Sequence, residues 1–216
     1  MTHPSRYTAR VTAQSENASR RQDGIEPLQE ILAVARRLFT TIGYQKTTVA
    51  EIAAELGKSP AHVYRFFDSK RAINEAVAEL LLGQIGDELA VIAAGQSSPP
   101  ERLAAFLLAL SELSERHFMT NSRVNDMVED AMAESWGVCL RYIQRVEGMI
   151  RTIVEDGQAS GDFSIEDAAA GAACVKTTMV CFMHPTMMAL SAEHARPEIE
   201  QVIAYALRGL GAKPRR

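Results

Sequence analysis

The segment Thr47 to Lys70, TTVAEIAAELGKSPAHVYRFFDSK, gathers the side chains best suited to recognising another molecule by its charge and edges. Arg65 carries a planar guanidinium that can pair with a guanine edge or with phosphate. His62 can donate to base or phosphate. Tyr64 offers a hydroxyl for phosphate and a ring for a thymine methyl, and Pro60 and Ala61 are short and apolar enough for the same methyl contact. Lys70 falls at a helix start, where free backbone N–H groups already favour an anion, as do the helix starts marked by Thr48 and Ser59. The candidate DNA-contacting set is therefore Thr48, Ser59, Pro60, Ala61, His62, Tyr64, Arg65 and Lys70.

These side chains need rigid elements beneath them. Leu28, Ile31, Leu32, Ala35, Leu38, Phe39 and Ile42 repeat at helical spacing, and Gly43 follows as a stop signal. Thr48 and Glu51 have the spacing of a capping box for a second helix, whose inward stripe is Val49, Ile52, Ala53 and Leu56. Gly57 permits the left-handed turn Leu56-Gly57-Lys58. Ser59 is placed to cap a third helix, with Pro60 at its first position, where the missing N–H is no loss. Phe67 and Asp68 close that helix. Ser69 is placed to cap a fourth, with Ile73, Ala76, Val77, Leu80 and Leu81 inward and Ile85, Leu89 and Ile92 continuing the spacing. Two short helices on a tight turn form a helix-turn-helix, in which the first braces and the second enters the major groove. Val63 is expected to share the core of Ile52 and Leu56, leaving Pro60, Ala61, His62, Tyr64 and Arg65 outward.

Composition agrees with helices throughout. Hydrophobic residues make up 47% and aromatics 6%, so the core must be built from Leu, Ile, Val, Ala and Met, and the fold class is expected to be all-α. The net charge is -4, but residues 1–71 hold eleven Lys/Arg against seven Asp/Glu, and residues 72–216 hold twelve against twenty. The +4 part can meet phosphates while the -8 remainder repels them, so an acidic total does not exclude DNA binding. Cys139, Cys174 and Cys181, odd in number and apolar in setting, are expected to be reduced and buried. No apolar run has the length of a membrane span, and Met1 to Asp23 lacks an apolar centre, so a cytoplasmic protein is expected. Met1 to Glu26 reads as a mobile arm. Arg6, Arg10, Arg20 and Arg21 make it mildly basic, which suits either a leader without a role or an arm reaching phosphates or a minor groove.

Ile31 to Leu81 resembles the N-terminal domain of the TetR/AcrR family of bacterial regulators, on the features ARRLFTTIGYQKTTVAEIAAELGKSPAHVYRFFDSKRAI from Ala35 to Ile73. The order of Gly-Tyr, Thr-Thr, Ile-Ala, Leu-Gly, Val-Tyr-Arg-Phe-Phe and Ser-Lys falls at that family's spacing. One departure is Phe66, where family members often carry a histidine. The resemblance implies three regions: an arm over 1–26, a helix-turn-helix domain over 27–80, and a helical ligand-binding and dimerisation domain over 81–212, with a long fourth helix joining the last two. It also implies a homodimer on near-palindromic operator DNA, as a repressor released by a small effector.

The remainder is read as helices. Gly95 to Pro100 is a loop by composition. Leu103, Phe106, Leu107, Leu110 and Leu113 form one stripe, and Val124, Met127, Val128 and Ala131 a shorter one. A long helix is expected from near Glu134 to Ala159, with Trp136, Leu140, Ile143, Met149, Ile150 and Ile153 inside, ended by Gly161. Ser164 and Asp167 are placed to cap the next, which His184-Pro185 should break, and Pro197 opens the last. Phe106, Leu110, Phe118, Met127, Trp136, Cys139, Tyr142, Met179, Phe182 and Met183 are candidate walls of a cavity for an apolar or aromatic effector, since methionine and aromatics make adaptable walls. Residues of this kind at helical spacing equally build plain core. Ala169, Ala172, Ala173, Val180, Val202, Ala206 and Leu210 are candidates for a dimer face or for intramolecular core. His117, His184, His194 and the cysteines show no CxxC or HxxxH spacing, so no metal and no cofactor are expected. No P-loop, GxGxxG or GxSxG motif occurs, so no enzyme is expected. The competing class is a helical carrier or enzyme with an incidental helix-turn-helix-like start.

Overall fold

A computed structural model describes residues 26–119, 123, 136–192, 194 and 196–212. The arm before residue 26, the stripe Val124 to Ala131, and the Met127 and Trp136 side chains lie outside the described residues. The fold is all-α, as the composition required, with no strand among the described residues. The chain divides into two compact units after Ile73, within one helix.

In the first unit, α1 (26–41) ends where Gly43 takes φ 108°, a left-handed value open to glycine. The Gly43 amide donates back to the Leu38 carbonyl at 3.3 Å. Helix α2 (Val49–Glu55) packs on α3 (Pro60–Tyr64), and α4 (Lys70–Ala93) begins beyond them. Ile31, Ala35, Phe39, Ile52 and Val63 are buried. Leu28 and Ile42, expected on the inward face, are exposed; Leu28 lies in the first turn of α1 and Ile42 just past its last residue. Arg37 pairs with Glu55 across α1 and α2 at the surface.

The second unit continues α4 and adds α5 (Pro99–Ser114), a π-helical turn (Glu115–Met119), α6 (Trp136–Ser160), α7 (Ala168–Thr178), α8 (Val180–Met183), α9 (Pro185–Ala192) and α10 (Ile199–Gly209). Helix α5 is central, packing against α6, α8 and α10, and α6 lies along α7. Leu103, Phe106, Leu107 and Leu110 are fully buried there. The expected loop to Pro100 ends earlier. Glu101 accepts hydrogen bonds from the Ser98 amide and hydroxyl, and Pro99 and Pro100 occupy the first helical turn, where prolines are tolerated.

Two expected inward leucines face out: Leu140 on α6 and Leu80 on α4 are 46% and 45% exposed. Each sits beside apolar residues one helical step away that take the core position, Cys139 with Tyr142 on α6 and Leu81 with Leu82 on α4. Gly161, at φ 75°, ends α6 as anticipated. Asp167 caps α7 by accepting from the Ala169 and Ala170 amides, at 2.9 and 3.0 Å. Ser164 does not share in that cap; its hydroxyl lies 3.4 Å from the Gly211 carbonyl. The chain breaks at His184-Pro185 and also at Met179, between α7 and α8. No described helix is long and apolar enough to cross a membrane.

Candidate nucleic-acid interface

Helix α2 is fixed at both ends by its own sequence. The Glu51 amide donates to the Thr48 hydroxyl at 3.2 Å, and the Glu51 carboxylate accepts from the Thr48 amide at 2.7 Å. That amide bond, aided by the Thr48 hydroxyl, holds the Glu51 carboxyl below its ordinary range. The positive end of α2 is thus met by a carboxylate of the chain itself, and the Thr48 hydroxyl is already committed to it. At the other end Gly57 takes φ 63°. The Lys58 amide reaches the Ala53 carbonyl at 2.9 Å, and the Gly57 amide reaches Ala54 at 3.0 Å. This pair of bonds closes a Schellman turn, which only a left-handed residue at 57 allows.

Ser59 stands in extended backbone before Pro60, as a cap should, but its hydroxyl makes no capping bond. The reason is local. The His62 amide, the group such a hydroxyl would meet, donates to the Ser59 backbone carbonyl at 2.9 Å, so the first turn closes without the side chain. Of the five residues of α3, Val63 alone is buried. Pro60, Ala61 and Tyr64 are exposed on the helix and Arg65 at its C-cap, with Tyr64 at 51%. His62 is half-buried, its ring 5.4 Å from that of Phe66. Phe66 therefore acts as a packing surface for His62, where a histidine would have offered a second polar edge.

Lys70 is positioned by residues outside the expected set. Its Nζ lies 4.3 Å from the centre of the Tyr44 ring and 3.4 Å from the Gln45 carbonyl. Tyr44 is itself buried, edge-on to Phe39 at 5.2 Å. The ammonium is thereby held over the α1–α2 connection by a cation–π contact. Thr47, also buried, donates from its hydroxyl to the Gly43 carbonyl at 2.8 Å and shapes the same connection. Ser69 caps α4 by accepting from the Ala72 amide at 3.0 Å. The sequence signal for this cradle was the Gly-Tyr pair, but its partner is 26 residues away in the chain.

In the second unit, Phe118, Cys139, Tyr142 and Met183 from the candidate cavity set wall one pocket with Leu82, Ile143, His184 and Pro185. Its free interior is only about 40 Å³. Phe106, Leu110 and Met179 are fully buried and do not line it. Phe182 is buried instead beneath Arg196, whose guanidinium sits 4.6 Å over its ring. Sequence reasoning missed His184 and Pro185 as walls because it read the pair as a helix break and weighed His184 otherwise only as a metal ligand. Leu82 was missed because its neighbours Leu80 and Leu81 filled the expected stripe.

Among the candidate dimer residues, Ala172, Ala206 and Leu210 are buried within the single chain, and Leu210 packs on Gly171. Ala169, Ala173, Val180 and Val202 are half-buried. Tyr205 and Leu190, which the sequence did not single out, are the exposed apolar residues of this region. Cys139 is buried, and burial pushes its thiol up. Cys174 is exposed, against expectation, because it lies on the outer side of α7, and Cys181 is half-buried. Among the described residues, no three His, Cys, Asp or Glu side chains group as a metal site.

Residues 31–77 match the family model for bacterial regulatory proteins of the tetR family, and residues 99–204 match that for the tetracyclin repressor-like C-terminal domain. The chain is 36% identical over 86 residues to the HTH-type transcriptional regulator BetI of Brucella abortus (strain 2308), covering 39% of this chain and 43% of that protein. It is 25% identical over 146 residues to the nucleoid occlusion factor SlmA of Edwardsiella ictaluri (strain 93-146), covering 67% of this chain and 71% of that protein. The aligned stretch therefore spans less than half the length of the BetI relatives. A solved transcriptional regulator of the TetR/AcrR family from Thermobifida fusca YX-ER1 superposes with a TM-score of 0.64 at 22% identity, covering 88% of this chain and 100% of that one.

Proposed function

The chain belongs to the tetR family of bacterial regulatory proteins, and from that membership we propose that it is a sequence-specific, DNA-binding transcriptional repressor that a small apolar or aromatic effector releases from its operator. One observation supports the DNA-reading part above the others. Helix α3 spends one side chain, Val63, on the core and leaves Pro60, Ala61, Tyr64 and Arg65 free, beside a Lys70 held by Tyr44. That arrangement serves the two jobs of a reader. Arg65, Tyr64 and the short apolar pair meet base edges, while Lys70 meets phosphate. Ser59 and Thr48 mark the helix starts that approach the backbone.

Residues 27–80 act as the reading domain and 81–212 as the effector and pairing domain, in the cytoplasm. A five-residue reading helix covers few base pairs, so two copies are needed. A homodimer with two-fold symmetry places them roughly 34–36 Å apart and selects a near-palindromic operator. The half-buried Val180 and Val202, with exposed Tyr205, give the pairing face its apolar area.

The test is binding of the purified protein to its own upstream DNA across a salt series. A regulator gives saturable, sequence-dependent binding whose logarithm falls linearly with that of salt. A carrier or enzyme with an incidental helix-turn-helix gives no preference for that DNA over a scrambled duplex, and this result would overturn the reading.

A further inference from the structure

We propose that the pocket walled by Phe118, Tyr142, Met183 and His184 takes a phenol, a neutral aromatic molecule with one hydroxyl, and that Tyr142 and His184 together hold that hydroxyl. The inference rests on the reading of the second unit as an effector domain and names the chemistry of that effector.

Two atoms carry it. The Tyr142 Oη and the His184 Nδ1 are buried and have no hydrogen-bond partner among the described residues, and both residues wall the same pocket. Tyr142 is 8% exposed. Buried polar atoms without partners are rare in native proteins, because each forfeits its bonds to water without replacement. Two in one small pocket mark a place where a partner is missing.

The remaining walls state what the partner is. Leu82, Phe118, Cys139, Ile143, Met183 and Pro185 are apolar, and no carboxylate, lysine or arginine is among the described wall residues. A charged head would enter this pocket without a counter-charge, at heavy desolvation cost. A hydroxyl carries the acceptor and the donor that the two orphan atoms call for. It accepts from the Tyr142 phenol, which burial keeps protonated, and donates to the imidazole nitrogen of His184. Flat neighbours favour an aromatic body: the Phe118 ring, and the sulfurs of Cys139 and Met183, which make favourable contacts with ring edges.

Two of the walls stand on irregular backbone. Phe118 stands on a π-helical turn, a distortion frequent at functional sites, and His184 is extended between two short helices. The free interior of about 40 Å³ accommodates the hydroxyl but not a ring. The ring gains its room when the unbranched Met183 side chain, a wall of the pocket itself, gives way; the adjoining cleft of about 210 Å³, which shares Leu82 and Tyr142, is lined also by Glu79, Arg141 and Arg145 and does not suit an apolar body.

The experiment is calorimetric titration of the full-length protein with phenol and its 4-alkyl homologues, with the matching methyl ethers, and with benzoate. The expected result is phenol binding, with each ether about tenfold weaker, the effect of one lost hydrogen bond. Tyr142→Phe should weaken phenol and ether alike, by about tenfold, since the oxygen of each accepts from the Tyr142 hydroxyl, and should keep the phenol-to-ether ratio that the bond to His184 sets. The variant should melt no lower than the parent, since it removes an unpaired buried hydroxyl. Equal affinity for phenol and ether means that the pair holds only a water, and overturns the proposal. Tighter binding of benzoate, or no binding of any phenol at millimolar concentration, overturns it too. If the wild-type protein distinguishes phenol from ether but operator DNA leaves phenol affinity unchanged, the head-group assignment stands and the effector reading falls.

Discussion

Arg65 is exposed at the C-cap of α3 and contributes nothing to the buried core, so its removal isolates the DNA contact proposed for it. Arg65→Ala should cost about 1–3 kcal/mol of operator affinity and relax preference at one base pair, with the melting temperature unchanged. A titration showing the same affinity and the same site preference would sink this role. Lys70→Ala should act differently. Its ammonium, held over Tyr44, is proposed to meet phosphate as a point charge, so its loss should weaken all sequences about equally and lower the salt slope by about one. Loss of affinity for one operator alone would contradict it. Gly57 belongs to a third kind. A Cβ there meets nothing within 4 Å, so the penalty of substitution is purely that of φ 63°. Gly57→Ala should cost about 1–2 kcal/mol, and Gly57→Val more, because a β-branched residue tolerates the left-handed region worse. DNA binding by Gly57→Val should be abolished through misfolding of the reading domain. An unchanged melting temperature with retained affinity would remove this backbone role.

At the scale of elements, glycines at close approaches separate what can yield from what cannot. A Cβ on Gly157 would lie 2.1 Å from the buried Phe163 ring, whereas one on Gly86 would lie 2.6 Å from the far end of the flexible Arg145 side chain, which pairs with Asp87 at the surface. Gly157→Ala should therefore destabilise the second unit by about 1–3 kcal/mol through overpacking, while Gly86→Ala should shift the melting curve little. Equal shifts in thermal unfolding would refute the distinction. Helix identity was legible in the sequence because local chemistry set it: Thr48 with Glu51, Gly57, Asp167 and Gly161 all terminate helices where their types predicted. The inward face was less legible. Leu140 and Leu80 look like core by type, but with apolar residues at adjacent positions only tertiary packing decides which turns in. Ser59 failed as a side-chain cap because a backbone carbonyl took its amide first, a competition no spacing rule reveals. The Tyr44–Lys70 cradle was signalled at one end only, by the Gly-Tyr pair, and the pocket shared by Tyr142 and His184 not at all, since each brings together residues far apart along the chain.

For the whole molecule, the proposed switch is a linkage between two ligands. Only an effector that prefers the DNA-incompetent arrangement can release the operator, and the operator must weaken that effector by the same factor. The chain has a single tryptophan, Trp136, so its fluorescence can follow effector binding with and without operator DNA. The expected result is a weaker apparent effector affinity in the presence of DNA, matched by an equal weakening of DNA binding in the presence of effector. A ligand that dissociates the complex yet binds free and DNA-bound protein equally well would break the cycle and dispose of the mechanism.

The lone anchor of α3 has an evolutionary corollary. With Val63 holding the helix and positions 60, 61, 64 and 65 released from the core, sequence preference can drift while the scaffold stays under separate selection. Duplicated genes of this design can diverge to new operators without passing through unfolded intermediates. A library randomised at those four positions should accordingly keep its melting temperature across most members while scattering widely in the base pairs they choose.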